Sequence, residues 1–232
     1  MICRWIPRES QGGEEPPELK TWARELNISD FLARLLWRRG LNTLRDMDVF
    51  LGPGLRHLEP LEAWPEALEA ARVLAQAVQN DARVAVWGDY DVDGVTASAL
   101  AVLFLRNRGI SPTCHLPDRG EEGYGLNVAG VERLAEQGMR TLLTVDCGIA
   151  DVEAVERARE LGMTVVITDH HLPGQSLPNA QAILNPRLGV SPYPNVAGVG
   201  AAFVLMAALN KLLPGQPDDM RRYLDLVALG TV

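Results

Sequence analysis

Short apolar runs alternate with helical stretches through the second part of the sequence. Three runs are continuous rather than alternating with polar residues, which is typical of strands buried on both faces of a parallel sheet. They are "RVAVW" at 83–87, "TLLTV" at 141–145 and "TVVIT" at 164–168. Weaker strands are predicted at "PTCHL" and "QAILN", and helices at 94–108, 127–137 and 151–161. This alternation predicts an α/β fold with a doubly wound, mostly parallel sheet.

The part of the chain before the first strand has a helical pattern. Residues 19–51 carry apolar side chains at helical spacing, and "LGPG" at 51–54 interrupts that pattern. The stretch "PEALEAARVLAQAVQN" at 65–80 predicts a helix that begins at a proline. We therefore predict a small helical N-terminal region over 1–80 and an α/β domain over 81–232.

The composition excludes several classes of protein. The 232 residues are 47% hydrophobic, yet no apolar run reaches the ~18 residues of a membrane span. Three scattered cysteines, Cys3, Cys114 and Cys147, form no CxxC pair and no disulfide framework, so we expect a reducing, cytoplasmic setting. The net charge of −8 disfavours a protein that wraps duplex DNA, but it does not exclude a nuclease whose carboxylates hold metal ions.

Each of the three strong strands runs into an aspartate, at Asp89, Asp146 and Asp169. Because ligands bind at the carboxyl ends of the strands in an open parallel sheet, these distant residues are expected to converge on one edge. A single aspartate after a strand is often only a helix N-cap. Here one strand leads into "DYDVDG" and another into "DHH", which favours a binding site over capping alone.

The "DYDVDG" stretch also resembles the opening of a calcium-binding EF-hand loop. Such a loop needs a glutamate at its twelfth position, where this chain has Leu100, and a helix before it, where this chain has an apolar strand. A solvated turn is the other simple interpretation of this stretch. The motifs elsewhere in the chain are needed to interpret it.

The "TDHH" stretch at 168–171 adds His170 and His171 to the carboxylates. Imidazole and carboxylate together suit Mn, Fe, Co or Zn, and the lack of a neighbouring cysteine argues against structural zinc. Five or six ligands are too many for one tetrahedral ion, but they suit two ions ~3.5–4 Å apart that share a bridging carboxylate. Such a pair activates water and stabilises phosphoryl transfer, so the pattern predicts phosphoester hydrolysis.

The ordered set of motifs resembles the DHH phosphoesterase superfamily, and within it the N-terminal part of the bacterial single-strand-specific exonucleases. The motifs are "GDYDVDG", "LPDRGEEGYGLN" at 116–127, "VDCGI" at 145–149, "TDHH", "ILNPR" at 183–187 and "VAGVGAAFVL" at 196–205. The resemblance covers nearly everything from about residue 31 to the end, including the helical region that precedes the sheet.

The resemblance implies roles for particular residues. The metal ligands it implies are Asp89, Asp91, Asp93, His170, His171 and, as the bridge between two ions, Asp146. The catalytic residues it implies are Asp146, Asp169 and His171, with Asp169 as an orienting group. The substrate-binding residues it implies are Arg119, Tyr124, Asn185, Arg187, Gly198 and Gly200. For the two glycines tight packing is an equal alternative to a phosphate cradle, and for the tyrosine a place in the core is an equal alternative to stacking on a base.

The resemblance also implies an activity. It predicts a 5′→3′ exonuclease on single-stranded DNA that uses two Mn²⁺ ions, with Mg²⁺ possible, and works in DNA repair and recombination beside a helicase and a single-strand-binding protein. Two alternatives stay open: a hydrolase of short oligonucleotides, cyclic dinucleotides or nucleoside bisphosphates, and an inactive scaffold in a replication complex. In the family, the segment resembling "DLVALGTV" continues into a further metal-ligating aspartate, so we expect this chain to be a fragment of a longer protein.

Overall fold

The computed structural model describes residues 15–54, 57–120, 122–189 and 191–232. The chain divides into two compact units, Met1–Glu59 and Pro60–Val232. Residues 1–14 of the predicted N-terminal region, including Cys3, lie outside the described residues. Cys114 and Cys147 carry free thiols. Within the described ranges, no helix is both long enough and apolar enough to cross a membrane.

The described part of the first unit contains the helices α1 (Leu19–Glu25), α2 (Asp30–Arg38) and α3 (Leu44–Leu51). The side chains of Ser29 and Thr43 accept hydrogen bonds from the backbone amides three positions further on, which satisfies donors that a helix start leaves unpaired. The apolar faces of the three helices form one small core, made of Leu19, Ala23, Ala33, Leu36, Trp37 and Met47.

The second unit is built on five parallel strands. They are β1 (Val84–Trp87), β2 (Thr113–His115), β3 (Thr141–Val145), β4 (Thr164–Thr168) and β5 (Ala182–Leu184), and their order in the sheet is β2-β1-β3-β4-β5. Each neighbouring pair is parallel. The chain winds outward in opposite directions from β1 and β3, and in sheets of this kind ligands bind at the carboxyl ends of the strands where the order reverses. The predicted α/β fold is confirmed.

Helices cover both faces of this sheet. They are α4 (Pro65–Gln79), α5 (Val92–Asn107), α6 (Val128–Glu136), α7 (Val152–Glu160), α8 (Gly198–Leu212) and α9 (Leu224–Thr231). Val84 and Val86 of β1 join the core under α4, α5 and α8, whereas Ala85 and Trp87 join the core under α6 and α7. Burial on both faces explains why the strands read as continuous apolar runs.

Helix α4 packs within the second unit. Its buried residues Ala67, Ala70, Ala71 and Leu74 belong to the same core as residues of α8 and β5. The structural division after Glu59 therefore differs from the boundary predicted near residue 80. A helical pattern shows that α4 has an apolar face, but it does not show which unit covers that face.

The packing of α6 against β1 yields a test of the fold. Gly130 of α6 lies against the ring of fully buried Trp87, and a Cβ at this position would overlap ring atoms Cη2 and Cζ3. Helix propensity alone predicts that Gly130→Ala stabilises the protein by roughly 0.5–1 kcal/mol. The steric overlap instead predicts that the free energy of unfolding falls by about 1–3 kcal/mol. We expect this destabilisation, measured as a lower urea midpoint of unfolding. A higher midpoint would contradict the packing of Gly130 on Trp87.

Candidate metal centre

The loops that follow β1, β3 and β4 carry the acidic and histidine motifs to one edge of the sheet, because these strands are adjacent and parallel. The structure brings five of the predicted ligands together there as two groups of three. One group is Asp89, Asp91 and Asp146, and the other is Asp146, His170 and His171. In each group the ligand atoms all lie within 4.8 Å of one another. Asp146 is common to both groups.

Asp146 has an unusual backbone conformation. Its φ of 62° lies in the left-handed region, which residues with a side chain rarely adopt. Its amide donates a hydrogen bond to the carbonyl of Thr168 in β4, at 2.9 Å. On the other side Gly198 provides space, since a Cβ there would overlap the carboxylate of Asp146. These constraints place a carboxylate that is only 1% exposed between the loops of β1 and β4.

Burial raises the pKa of Asp146 to about 6, and the nearby carboxylates of Asp93 and Asp91 add to the effect. The ring of His170 opposes it, because Nε2 lies 3.1 Å from Oδ1 of Asp146. The same contact is the main cause of a raised pKa for His170. A proton is therefore held readily by this pair, and a metal ion has to displace it.

Two buried carboxylate oxygens at the site receive no hydrogen bond from the part of the chain that the structure describes. They are Oδ1 of Asp89 and Oδ1 of Asp146, and Nε2 of His170 lies 3.1 Å from the latter. Unpaired buried polar atoms are rare. Burial is also the main cause of a raised pKa for Asp89. Carboxylate and imidazole ligands with unpaired oxygens fit divalent transition metals such as Mn²⁺.

Asp169 is held by protein groups at both of its oxygens. Oδ2 accepts a hydrogen bond from the amide of Ile149 at 2.9 Å, and Oδ1 accepts from the amides of His170 at 2.7 Å and His171 at 3.1 Å. Nδ1 of His171 lies 2.8 Å from the same Oδ1. Burial alone would raise the pKa of Asp169, but these hydrogen bonds outweigh burial and lower it. The contacts suit an orienting role for Asp169.

Asp93 lies outside both ligand groups, and its role as a ligand stays a prediction. Its two oxygens accept hydrogen bonds from the amides of Gly198 at 2.7 Å and Val199 at 2.6 Å, at the start of α8. A helix N-terminus stabilises a negative charge, so this carboxylate is neutralised by backbone dipoles. Nε2 of His170 is its next neighbour, at 3.6 Å from Oδ2.

The phosphate cradle predicted at Gly198 and Gly200 is not supported by this arrangement. The amide of Gly198 is already bound to Asp93. Gly200 packs closely on Val196, whose Cγ2 would overlap a Cβ at position 200. Both glycines therefore serve close packing, the alternative that the sequence left open.

A group of aromatic and basic side chains borders the metal-ligand groups. The hydroxyl of Tyr124 lies 3.2 Å from a ring nitrogen of His171, and the Tyr124 ring meets that of Tyr90 edge-on, at 6.3 Å between centroids. The guanidinium carbon of Arg119 lies 5.5 Å from the centroid of Tyr90. Tyr124 is 51% exposed, so it does not occupy the core. Tyr90 was missed by the sequence analysis, although its position between Asp89 and Asp91 was a signal.

Asn185 and Arg187 contact the histidine pair through its backbone. Nδ2 of Asn185 donates to the carbonyl of His171 at 2.9 Å, and Oδ1 accepts from the amide of Arg187 at 2.9 Å. Nε of Arg187 donates to the carbonyl of His170 at 2.6 Å. Asn185 is buried and Arg187 is exposed, and their contacts with phosphate stay predictions. The two residues fix the loop that presents both imidazoles.

The raised pKa of Asp146 predicts how metal affinity depends on pH. Its carboxyl titrates near pH 6, so protons compete with Mn²⁺ below that value, and the raised pKa of His170 acts in the same direction. We expect the Kd for Mn²⁺, measured by calorimetry, to rise as the pH falls below 6, by about tenfold per pH unit for each ligand proton that the metal has to displace. A Kd that is constant from pH 7 to pH 5 would contradict this assignment.

Comparison with known proteins places this geometry in a family. A model described as "DHH family, N-terminal domain" matches residues 83–231. The single-stranded-DNA-specific exonuclease RecJ of Escherichia coli (strain K12) is 39% identical over 217 residues, which are 88% of this chain and 37% of the relative. The curated relatives that match are much longer, and this chain spans between 27% and 37% of their length.

Solved structures of similar proteins share the fold. RecJ from Thermus thermophilus in complex with Mn²⁺ superposes with a TM-score of 0.74 at 32% identity, over 94% of this chain and 30% of that one. An exonuclease RecJ bound to manganese superposes with a TM-score of 0.68 at 36% identity, over 75% of this chain and 44% of that one. Because the family model covers most of the chain and all five strands of its sheet, the chain belongs to the DHH family.

Proposed function

We propose that this chain carries the catalytic centre of a metal-dependent 5′→3′ exonuclease that hydrolyses single-stranded DNA in repair and recombination. The observation that carries the proposal is the buried carboxylate of Asp146, which is common to two groups of metal ligands. Two cations that share one carboxylate suit the in-line displacement of a phosphodiester. Relatives named as single-stranded-DNA-specific exonucleases support the substrate class.

Mn²⁺ is the proposed cofactor, with two ions per site and Mg²⁺ as the alternative. Imidazole ligands favour manganese over magnesium, and the manganese-bound structures of RecJ relatives support the same choice. Asp89, Asp91, Asp146, His170 and His171 would hold the ions. When bound, a metal pair of this kind supplies an activated water and neutralises charge on the attacking and leaving oxygens.

The remaining residues of the site act on geometry and substrate. Asp169 holds the ring of His171 through Nδ1, so that the other ring nitrogen can face a cation. Arg119 is proposed to bind a phosphate of the strand, and the rings of half-buried Tyr90 and exposed Tyr124 to stack on bases. A cytoplasmic setting and work beside a helicase and a single-strand-binding protein complete the proposal.

A labelled-strand assay tests this function. The chain is incubated with Mn²⁺ and a single-stranded oligonucleotide that carries a label at its 5′ end or, separately, at its 3′ end. We expect early release of labelled mononucleotide from the 5′ label alone. Asp146→Ala should abolish release, because it removes the carboxylate common to both ligand groups. Glu153→Ala is the matched control, since it removes an exposed carboxylate on α7, and it should leave the rate unchanged.

Other outcomes of this assay would contradict the proposal in different ways. Release from the 3′ label first would reverse the direction. Faster cleavage of dinucleotides than of long strands in a mixed reaction would favour a hydrolase of short oligonucleotides. Full activity of Asp146→Ala would refute the bridging role, and failure of the chain to bind Mn²⁺ at all would favour a scaffold.

A further inference from the structure

The loop between β2 and α6 carries two of the proposed substrate-binding residues, Arg119 and Tyr124. Within it, Tyr124 lies between two points at which other side chains hold the loop, at Glu122 and at Gly125. Neither point belongs to the metal-ligand groups. The contacts at Glu122 and Gly125 set the position of the loop beside the candidate metal centre.

At the first point, the carboxylate of Glu122 contacts both β2 and α6. Oε2 lies 2.7 Å from Nε2 of His115 at the end of β2, and Oε1 accepts a hydrogen bond from Nη2 of Arg133 in α6 at 2.7 Å. The side chain of Glu122 is only 22% exposed. Burial raises its pKa, but the bonds from His115 and Arg133 outweigh burial and lower it. Glu122 therefore binds its two partners as an anion.

The second point is set by residues of β1 and of the loop before α7. Nε1 of Trp87 donates to the carbonyl of Gly125 at 3.2 Å, and Oδ2 of Asp151 accepts from the amide of Leu126 at 2.9 Å. Gly125 has a φ of 78°, a conformation that suits glycine. The ring of Trp87 also stacks on His115, at 4.0 Å between centroids, so the two points are in contact with each other.

We propose that Glu122 is a positioning residue that holds the 116–127 loop so that Tyr124 and Arg119 face a single strand beside the metal centre. This inference rests on the proposed function and adds a determinant of substrate affinity to it. Glu122 is two residues from Tyr124, whose hydroxyl contacts His171, so release of Glu122 frees the backbone that sets the direction of Tyr124.

The expected effect of losing Glu122 is on substrate binding. Apparent affinity falls in proportion to the fraction of molecules whose loop is correctly placed. Hydrogen bonds to charged groups contribute enough that losing two of them can lower this fraction about tenfold. The ligand groups do not include Glu122, so the affinity for Mn²⁺ should stay the same.

The test compares three variants of the full chain. Kd for a fluorescent single-stranded oligonucleotide is measured by anisotropy, and hydrogen exchange is followed over residues 122–126. We expect Glu122→Ala to weaken oligonucleotide binding about tenfold and to speed exchange in this segment, with Kd for Mn²⁺ unchanged. Glu122→Gln should bind better than Glu122→Ala, because an amide can keep a hydrogen bond to each neighbour. Glu132→Ala removes a different ion pair of α6, the helix that carries Arg133. Glu132 pairs with Arg157 at 2.8 Å, and its loss should change neither oligonucleotide binding nor hydrogen exchange.

Two results would overturn the inference. One is equal oligonucleotide binding and equal exchange in Glu122→Ala and Glu132→Ala. The other is a parallel loss of Mn²⁺ affinity or of the urea midpoint in Glu122→Ala, which would show a general structural role. If the unaltered chain binds the strand but does not cleave it, the proposed function fails while the Glu122 comparison still decides this inference. If it binds no strand, both fail.

Discussion

Repulsion among carboxylates at the carboxyl edge of the sheet is the constraint on which the rest of the site depends. Two unit charges of the same sign ~4 Å apart repel by roughly 4 kcal/mol at an effective dielectric near 20. Asp89, Asp91 and Asp146 place oxygens within 4.8 Å of one another, and two of these residues are buried. Burial, with a further contribution from the neighbouring carboxylates, raises the pKa of Asp146 to about 6, so the metal-free site holds this negative charge at a cost. Divalent cations relieve the repulsion, so the arrangement is prepared for cations before they bind.

The fold gives each carboxylate of the site a different set of partners. Adjacent parallel strands supply the convergence, and the left-handed backbone of Asp146 directs its side chain into the space beside Gly198. The amides at the start of α8 neutralise Asp93, and three amides with one imidazole neutralise Asp169. Asp93 and Asp169 thus have protein partners at both oxygens, whereas Asp89 and Asp146 each keep one buried oxygen that receives no hydrogen bond from the described residues.

Much of this could be predicted from the sequence, because continuous apolar runs specify buried parallel strands and parallel strands specify where their ends meet. The directions in which individual side chains point could not be predicted from the sequence. Asp91 and Asp93 look equivalent in "DYDVDG", yet Asp91 accepts a hydrogen bond from the amide of Gly94 at the start of α5, while Asp93 turns to α8. The contacts of Asn185 with the histidine loop and the place of Tyr90 beside Tyr124 depend on loop dihedral angles and on distant neighbours, which no local pattern encodes.

We propose that Asp146 bridges two cations. Anomalous diffraction from crystals of the chain soaked in Mn²⁺ tests it most directly, since it locates each ion without reference to activity. We expect two manganese peaks about 3.5–4 Å apart, one on each side of the Asp146 carboxylate. A single peak, or two peaks that do not share Asp146, would contradict it.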